Sequence, residues 1–233
     1  PGELTDPSRL GWVADTLWIL DTRNYRFTLF DRMGELVGLI TPTIVARQSD
    51  DHLPPRPVAL LPQGRILARG TTASHLVATR VVDSIPYFIL DREGAVLTQP
   101  FRVVAHPPLW IRNPDSSNPY SGRYTDQPFL SGPYVDVSSS EGSIARARVG
   151  SDSIWISSLD LELDTRWITA MPAASVPISG SVIDSIIGAE AESFVKSPAA
   201  EGASILAIRE WIRKALVIPD HWPLLEEVVM GED

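Results

Sequence analysis

Apolar and polar residues alternate along residues 15–37, and short polar turns interrupt the alternation. The segment reads "DTLWILDTRNYRFTLFDRMGELV". Its apolar positions recur with the period of two that β-strands require: Leu17, Ile19, Phe27 and Leu29. The polar residues 21–26 and the pair Met33-Gly34 supply turn chemistry after each run. The pattern therefore predicts a β-hairpin followed by another tight turn and a further strand.

Parts of this segment return later in the chain. "DTLWIL" at residues 15–20 matches "DSIWIS" at 152–157, and "FDRMGEL" at 30–36 matches "LDREGAV" at 90–96. Residues 57–68 and 133–149 repeat the order of proline, apolar strand, turn and apolar strand. Copies of about 40–50 residues made of short strands are typical of β-propeller blades, because one such hairpin cannot bury its apolar face alone.

The first copy resembles an NHL-type propeller blade. In "LWILDTRNYRFTLFDRMGEL" the matching positions of the blade pattern are Asp21, Asn24, Arg26, Phe30 and Gly34. The wider chain is similar to bacterial six-bladed β-propeller proteins of the NHL/TolB-like group. The resemblance is closest over residues 7–37, and it extends more loosely over 57–97 and 133–170, where the Asp-x-x-Asn-x-Arg turn is lost. It implies an all-β propeller of four-stranded antiparallel blades, in a periplasmic or secreted protein.

We expect one domain over residues 1–233, built as an open partial ring of about four blades. Residues 106–128 are rich in Pro, Asn, Ser and Gly, which predicts a long ordered loop between blades. The ending "WPLLEEVVMGED" repeats the first half of a blade phrase, so a further blade is expected to be cut there. An open ring predicts that Val228 and Val229 are more exposed than Trp12 and Val13.

One short helical insert is predicted at about residues 198–217. Apolar residues recur at helical spacing: Ile205, Ile208, Ile212 and Leu216. We expect a helix over 205–216 with Ile208 and Ile212 facing the sheets and Arg209 and Arg213 facing water. The preceding "VIDSIIGAEAESFV" could add a turn or two. A helix that binds a partner protein is the alternative to one that covers a propeller edge.

Composition narrows the classes of partner. The net charge is −9 and the pI about 4.9, so the surface repels nucleic acid and anionic lipid. No apolar stretch reaches the length of a membrane-spanning helix. The chain has no cysteine, which excludes disulfides, thiolate catalysis and cysteine-ligated zinc. No cofactor is predicted.

The sequence contains no recognisable catalytic or metal-binding motif, so catalytic and metal residues are predicted as none. His52, His75, His106 and His221 lie too far apart for local metal-ligand spacing, and no serine-hydrolase elbow or phosphate loop is present. The serines at 138–140 are interpreted as a polar strand end or a turn. Residues 49–52 and 113–118 carry oxygen ligands but lack a calcium-loop spacing, which indicates solvated loops.

Three polar residues and two tryptophans have a structural interpretation and a functional one. Asp21, Asn24 and Arg26 are interpreted as turn residues rather than a binding cluster. Trp18 and Trp155 are interpreted as buried packing residues at equivalent blade positions, with carbohydrate stacking as the alternative. Residues 31–34 and 91–94 are expected to form matching turns with both glycines at positive φ.

Three functions remain open on the sequence alone. The first is a non-catalytic scaffold that binds an unknown protein or small molecule on one propeller face. The second is a metal-dependent lactonase or lyase that gathers ligands from several blades on the central axis. The third is a propeller that gates a fused catalytic domain.

Overall fold

Short strands dominate the fold, as the alternating pattern predicts. The computed structural model describes residues 3–43, 52–72, 84–104, 108–118, 120–125, 127–130, 134–138, 141–150, 152–222 and 225. The strands are β1 (Pro7–Val13), β2 (Thr16–Asp21), β3 (Arg26–Phe30), β4 (Leu36–Ile40), β5 (His52–Leu60), β6 (Ile66–Thr72), β7 (Ser84–Leu90), β8 (Phe101–Val104), β9 (Leu109–Arg112), β10 (Gly122–Thr125), β11 (Val135–Ser138), β12 (Ser143–Val149), β13 (Ser153–Leu159) and β14 (Thr165–Pro172). The α-helices are α1 (Gly180–Val195) and α2 (Ile205–Ala215).

These strands form four antiparallel sheets. The first sheet contains β1–β4, the second sheet β5–β8 and the third sheet β11–β14, each with its strands in chain order. β9 and β10 pair as a separate hairpin. The β-rich class and the four-stranded antiparallel units are thus confirmed. The expected four strands per unit occur in three of the four sheets that the described residues form.

The two predicted glycine turns are confirmed. Gly34 has φ of 80° and Gly94 has φ of 101°. Each glycine N–H donates to the carbonyl oxygen of the aspartate three residues earlier, over 3.1 Å from Gly34 to Asp31 and 3.2 Å from Gly94 to Asp91. Both turns join the third and fourth strands of their sheets, so the sequence repeat marks equivalent places in the first and second sheets.

The third sheet has the same turn without a glycine. Asp160 accepts from the N–H of Leu163 over 3.1 Å, and its Oδ1 accepts from the N–H of Asp164 over 2.9 Å. Leu163 has φ of 70°, in the left-handed region that Gly34 and Gly94 occupy in the other turns. Because the aspartate supplies the same hydrogen bonds in all three turns, "DLELD" is the third copy of the repeat.

Gly34 gives a direct test of this turn. We expect Gly34→Ala to lower the free energy of unfolding by about 1–2 kcal/mol, because an L-residue is strained at this φ. A Cβ added at Gly34 meets nothing within 4 Å, so conformational strain is the only cost. Gly38→Ala in β4 is the matched control, since its added Cβ makes an ordinary 3.8 Å contact with Leu29. Urea denaturation should show Gly38→Ala unchanged or slightly stabilised; equal losses in both variants would contradict the turn assignment.

The predicted equivalence of Trp18 and Trp155 is wrong. Trp18 lies on β2, the second strand of its sheet, whereas Trp155 lies on β13, the third strand of its sheet. Counted from the turn aspartates, Trp155 corresponds to Arg26 and Pro86 instead. Trp18 is 3% exposed and packs edge-on against Phe27, but Trp155 is 44% exposed. The matching phrases "DTLWI" and "DSIWI" therefore come from different strands of the repeat.

The main core lies between the three four-stranded sheets. Each sheet contributes fully buried apolar side chains to one continuous cluster, which includes Leu20 and Phe27, Leu67 and Ile89, and Ile144 and Leu159. The second sheet contributes core residues from each of its four strands, β5 to β8. The first and third sheets each leave part of their surface exposed, including Leu10 and Ile168.

A second core lies between the hairpin and the two helices, and it corrects two predictions. The segment expected as a loop at 106–128 instead forms β9 and β10 in its described part. In place of the single short helical insert, the chain forms two helices. The longer helix, α1, begins after Ser179, whose side chain accepts a hydrogen bond from the N–H of Val182. The cluster is formed by Leu109, Ile111, Phe129, Ile187, Ala191, Phe194, Ala200, Ile208, Ile212 and Leu216.

The predicted orientation of α2 is confirmed. Ile208 and Ile212 are fully buried, whereas Arg209 and Arg213 are exposed. The surface that they cover is the β9–β10 hairpin and α1 rather than a four-stranded sheet. Neither α1 nor α2 has the length and continuous apolar sequence of a transmembrane span, and they are the α-helices of the described residues. The comparison of Val228 and Val229 with the N-terminal strand lies outside the described residues.

Candidate functional site

An open groove of about 430 Å³ lies between β8 of the second sheet and the third sheet. Its walls combine three arginines with apolar side chains. The lining residues are Arg102, Val103, Val104, Arg146, Ala147, Arg148, Trp155, Ser157 and Ile168. The groove therefore lies between the surfaces of two sheets, whereas the sequence-based expectation placed the binding surface on one propeller face.

Strand alternation places the polar groups of the groove on one face of the third sheet. Arg146 and Arg148 are two residues apart on β12, so their side chains share a face. Across the strand pair, Arg146 is opposite Ser157 and Arg148 is opposite Trp155. On the next strand, Ile168 is opposite Ser157. Directly opposite residues of an antiparallel pair have neighbouring side chains, so all five belong to one surface.

The same face of the third sheet is buried at its other end. Ile144 and Leu159 are opposite each other, fully buried, and part of the main core. After the buried Ile144, the next two residues of β12 on the same face are Arg146 and Arg148. The apolar end thus fixes the third sheet against the main core, while the basic end opens into the groove.

The groove concentrates positive charge in an acidic protein. Its lining residues in the described part of the chain include three arginines and no aspartate or glutamate, whereas the whole chain carries a net charge of −9. None of the ion pairs found among the described residues includes Arg102, Arg146 or Arg148. Guanidinium groups without a carboxylate partner attract anions most strongly where apolar walls limit access of water.

Two serines help to position these arginines. The Nε–H of Arg146 donates to the Oγ of Ser157 over 2.9 Å, and Ser157 is buried. Nη1 of Arg102 donates to the Oγ of Ser84 over 3.2 Å. In Arg146 the two Nη groups take no part in the bond to Ser157. The side chain is therefore fixed through Nε while its planar end remains in the groove.

The cluster of Asp21, Asn24 and Arg26 has the structural role that the sequence indicated. Asp21 is buried, and its carboxylate accepts from the N–H of Thr5, the N–H and Nδ2 of Asn24, and the N–H of Asp6. Nη2 of Arg26 lies 3.5 Å from Oδ2 of Asp21. These bonds hold the segment before β1 against the turn between β2 and β3.

Asp21 makes the stability of this region dependent on pH. Burial alone raises the pKa of Asp21, but the hydrogen bonds from Thr5, Asn24 and Asp6 outweigh it and lower the pKa from 3.8 to about 2. The folded protein therefore binds this proton less readily than the unfolded chain does. The stabilisation is complete above pH 3.8 and is lost as the pH falls toward 2.

We expect Asp21→Asn to be less stable than the native protein at pH 7. The Nδ2 group of asparagine is a hydrogen-bond donor, and it would face backbone N–H groups that also donate. The difference should shrink as the pH falls from 4 to 2, where the native carboxyl becomes protonated. Urea midpoints across this range measure it. Asp15→Asn is the control, since Asp15 is exposed and pairs only with Arg32 in the described residues. A pH-independent difference for Asp21→Asn would contradict the role of the carboxylate.

The oxygen-rich loop at 113–118 is also structural. Nδ2 of Asn113 donates to the carbonyl oxygens of Ala199 and Glu201 over 3.3 and 3.2 Å. Oδ2 of Asp115 accepts from the N–H of Ser204 over 2.9 Å. These side chains connect the hairpin to the segment between α1 and α2. Asn113 is buried, so the prediction of a solvated loop is wrong at this residue.

The histidines that were considered as metal ligands do not come together in the described part of the chain. His221 is exposed and forms a β-bridge with Pro177. His52 begins β5, and His75 and His106 lie outside the described residues, as do residues 49–51 and Ser139 and Ser140. Ser138 ends β11, as expected. No group of three or more His, Asp or Glu side chains that could hold a metal ion occurs among the residues described.

Sequence reasoning missed the three arginines of the groove. The available signal was "ARARV" at residues 145–149, where two arginines alternate with alanines on a strand of an acidic chain. Such alternation predicts one basic face, but the contribution of Arg102 depends on β8 and β12 coming together across more than forty residues of sequence.

Comparisons with known proteins add little to this geometry. No family model matches the chain. No curated protein matches it. One similar solved structure is a protein of unknown function from Bacteroides caccae, with 12% identity and a TM-score of 0.19. The alignment covers 71% of this chain and spans 64% of the length of that protein. A TM-score this low supports no inference about fold or function.

Proposed function

We propose that the protein is a non-catalytic binding scaffold, and that the groove between β8 and the third sheet holds an anionic ligand. The proposal rests on the group of three arginines in a groove whose described lining residues include no carboxylate. The chain has a net charge of −9, but this concentration of guanidinium groups makes the groove locally positive. A bound anion compensates this charge and gains charge-assisted hydrogen bonds.

We further propose that the three four-stranded sheets are propeller blades of the NHL/TolB-like kind. The repeated order of four antiparallel strands and the shared turn after the third strand support this. In each copy the residue before the turn aspartate pairs with the residue five positions after that aspartate: Phe30 with Leu36, Leu90 with Val96, and Leu159 with Thr165. Binding sites between repeated sheets are consistent with a scaffold that presents side chains from neighbouring units.

Citrate is a suitable probe because it offers several carboxylates to several guanidinium groups. Titration followed by protein NMR at low ionic strength should show saturable shifts around the groove. The double variant Arg102→Gln, Arg148→Gln should bind citrate about five- to thirtyfold more weakly, since each exposed charge pair is worth up to about 1 kcal/mol. Both side chains are exposed, so the variant should retain the fold.

A matched control separates the groove from net charge. Arg23→Gln, Arg32→Gln changes the charge by the same amount, but both residues are exposed turn residues of the first sheet. This control should bind citrate with native affinity. Equal citrate affinity in the native protein and both double variants would overturn the proposal, as would an equal loss in both variants.

A further inference from the structure

Three large apolar side chains line the groove beside the arginines, and they carry information about the ligand. Trp155 is 44% exposed, Ile168 is 59% exposed on the neighbouring strand, and Val104 is 55% exposed on β8 across the groove. Large apolar side chains placed together beside arginines form a surface with an apolar part and a cationic part. A simple inorganic anion would use only the cationic part.

The repeat does not explain a tryptophan at position 155. The corresponding positions of the first and second sheets are Arg26 and Pro86, counted from the turn aspartates. An aromatic ring is therefore not needed for the packing of this strand in the other two copies. Its large exposed area at the wall of a groove indicates a role in contact with something outside the chain.

Among the described residues, the indole of Trp155 makes no cation–π contact with the neighbouring arginine. The cation–π contact found in the described residues joins Arg123 to Phe194, in the second core. Arg148, although directly opposite Trp155 across the strand pair, makes no such contact there. Side chains of directly opposite residues start about 5 Å apart. A ligand that stacks on the indole therefore brings any acid attached to its ring within reach of Arg148.

We infer that the ligand of the groove is a small molecule in which an acidic group is attached to a flat, largely apolar ring. The ring stacks on Trp155 between Ile168 and Val104, while the acidic group binds the guanidinium groups of Arg146 and Arg148. The volume of about 430 Å³ is in the range of small-molecule sites. This inference rests on the proposed function and adds the ring to it. The acid itself is a carboxylate or a phosphate.

The test compares ring-bearing anions with bare ones by protein NMR titration of the full chain. The probes are 2-naphthoate, 2-naphthyl phosphate, acetate, inorganic phosphate and uncharged 2-naphthol. We expect at least one ring-bearing anion to bind tenfold or more tightly than the corresponding bare anion and more tightly than 2-naphthol. Whether 2-naphthoate or 2-naphthyl phosphate binds more tightly identifies the acid.

Two tryptophan variants locate the contribution of the ring. In Trp155→Ala, the ratio of the affinities for the ring-bearing anion and the corresponding bare anion should fall to near one. Trp167→Ala is the matched control, because Trp167 is 49% exposed on the opposite face of the same sheet. It should keep native affinities for every probe. Thermal melts of both variants establish that the fold is retained.

The outcomes distinguish this inference from the proposed function. The inference is overturned if the ring-bearing anions bind no more tightly than the bare anions, or if Trp155→Ala keeps the same difference in affinity between them. In either case, citrate binding through the arginines still stands. If none of the anions binds in a way that depends on Arg102 and Arg148, both proposals are overturned. If 2-naphthol binds as tightly as the ring-bearing anions, the groove is an apolar site and the acidic group is not part of its ligand.

Discussion

Replacing Phe27 with alanine is expected to lower the free energy of unfolding by about 3–5 kcal/mol, the range for a buried phenylalanine. Phe27 lies on β3, is fully buried, and packs edge-on against Trp18 with ring centroids 5.6 Å apart. Its side chain belongs to the cluster that joins the three four-stranded sheets. Truncation there leaves a cavity that the paired strands cannot close. Urea denaturation with an unchanged m-value measures the loss.

Phe30 supplies the control on the same strand. It lies on the other face of the first sheet, where it pairs with Leu17 of β2 and Leu36 of β4. Its side chain is only partly buried. Phe30→Ala should therefore cost less than half as much as Phe27→Ala. If Phe30→Ala lowered the free energy of unfolding as much as Phe27→Ala, the Phe27 face of the first sheet would not be the face that packs in the main core.

Ile208→Ala is expected to lower the free energy of unfolding by about 2–5 kcal/mol. Ile208 is fully buried in the second core, where α2 packs against α1 and β9. The hairpin and the two helices share few buried contacts with the main core, so their stability depends on this cluster. The measurement is again urea denaturation, followed by far-UV circular dichroism because the affected unit is helical.

Leu206→Ala tests whether the effect comes from burial. Leu206 lies in the same helix and is 71% exposed, so its truncation removes little buried surface. Because alanine also favours helix, we expect no loss of stability. If Leu206→Ala and Ile208→Ala destabilised the protein equally, α2 would not pack through the Ile208 face.

The sequence predicted the turns well because turn chemistry is local. Asp31 and Asp91 carry the same backbone hydrogen bonds, and Gly34 and Gly94 take the positive φ that the turn needs. The third copy escaped detection because Leu163 occupies the glycine position. The aspartate hydrogen bonds are strong enough to fix the turn without glycine, so a search for glycine alone misses it.

The matched tryptophans misled because a short phrase does not record which strand it belongs to. In the first copy the next turn aspartate, Asp21, follows Trp18 after three residues, and this turn joins the second and third strands. In the third sheet Asp160 follows Trp155 after five residues, and that turn joins the third and fourth strands. The spacing to the next turn, rather than the phrase itself, carries the register.

The hairpin was missed and α1 was expected only as a turn or two of helix, for different physical reasons. The strands β9 and β10 have four residues each, and their stability comes from packing on α1 and α2 rather than from their own pattern. In α1, β-branched residues such as Ile186 and Ile187 favour strands by propensity, but tertiary packing overrides it. The N-cap serine at 179 was the local signal for this helix.

The groove could be predicted only in part. The alternation of Arg146 and Arg148 on one strand defines a basic face, and Trp155 belongs to the same sheet. The opposite wall comes from β8, whose position against β12 results from the packing of two sheets and leaves no mark in the local sequence. The chemistry of the site therefore follows from the sequence once the pairing of its strands is known.

A crystal structure of the protein with 2-naphthoate would show directly whether the groove binds an acid attached to an apolar ring. We expect the carboxylate within about 2.7–2.9 Å of guanidinium nitrogens of Arg146 or Arg148, and the naphthalene ring stacked on Trp155. Naphthoate bound at another surface, or within the groove with its ring turned away from Trp155 and its carboxylate away from the arginines, would contradict it.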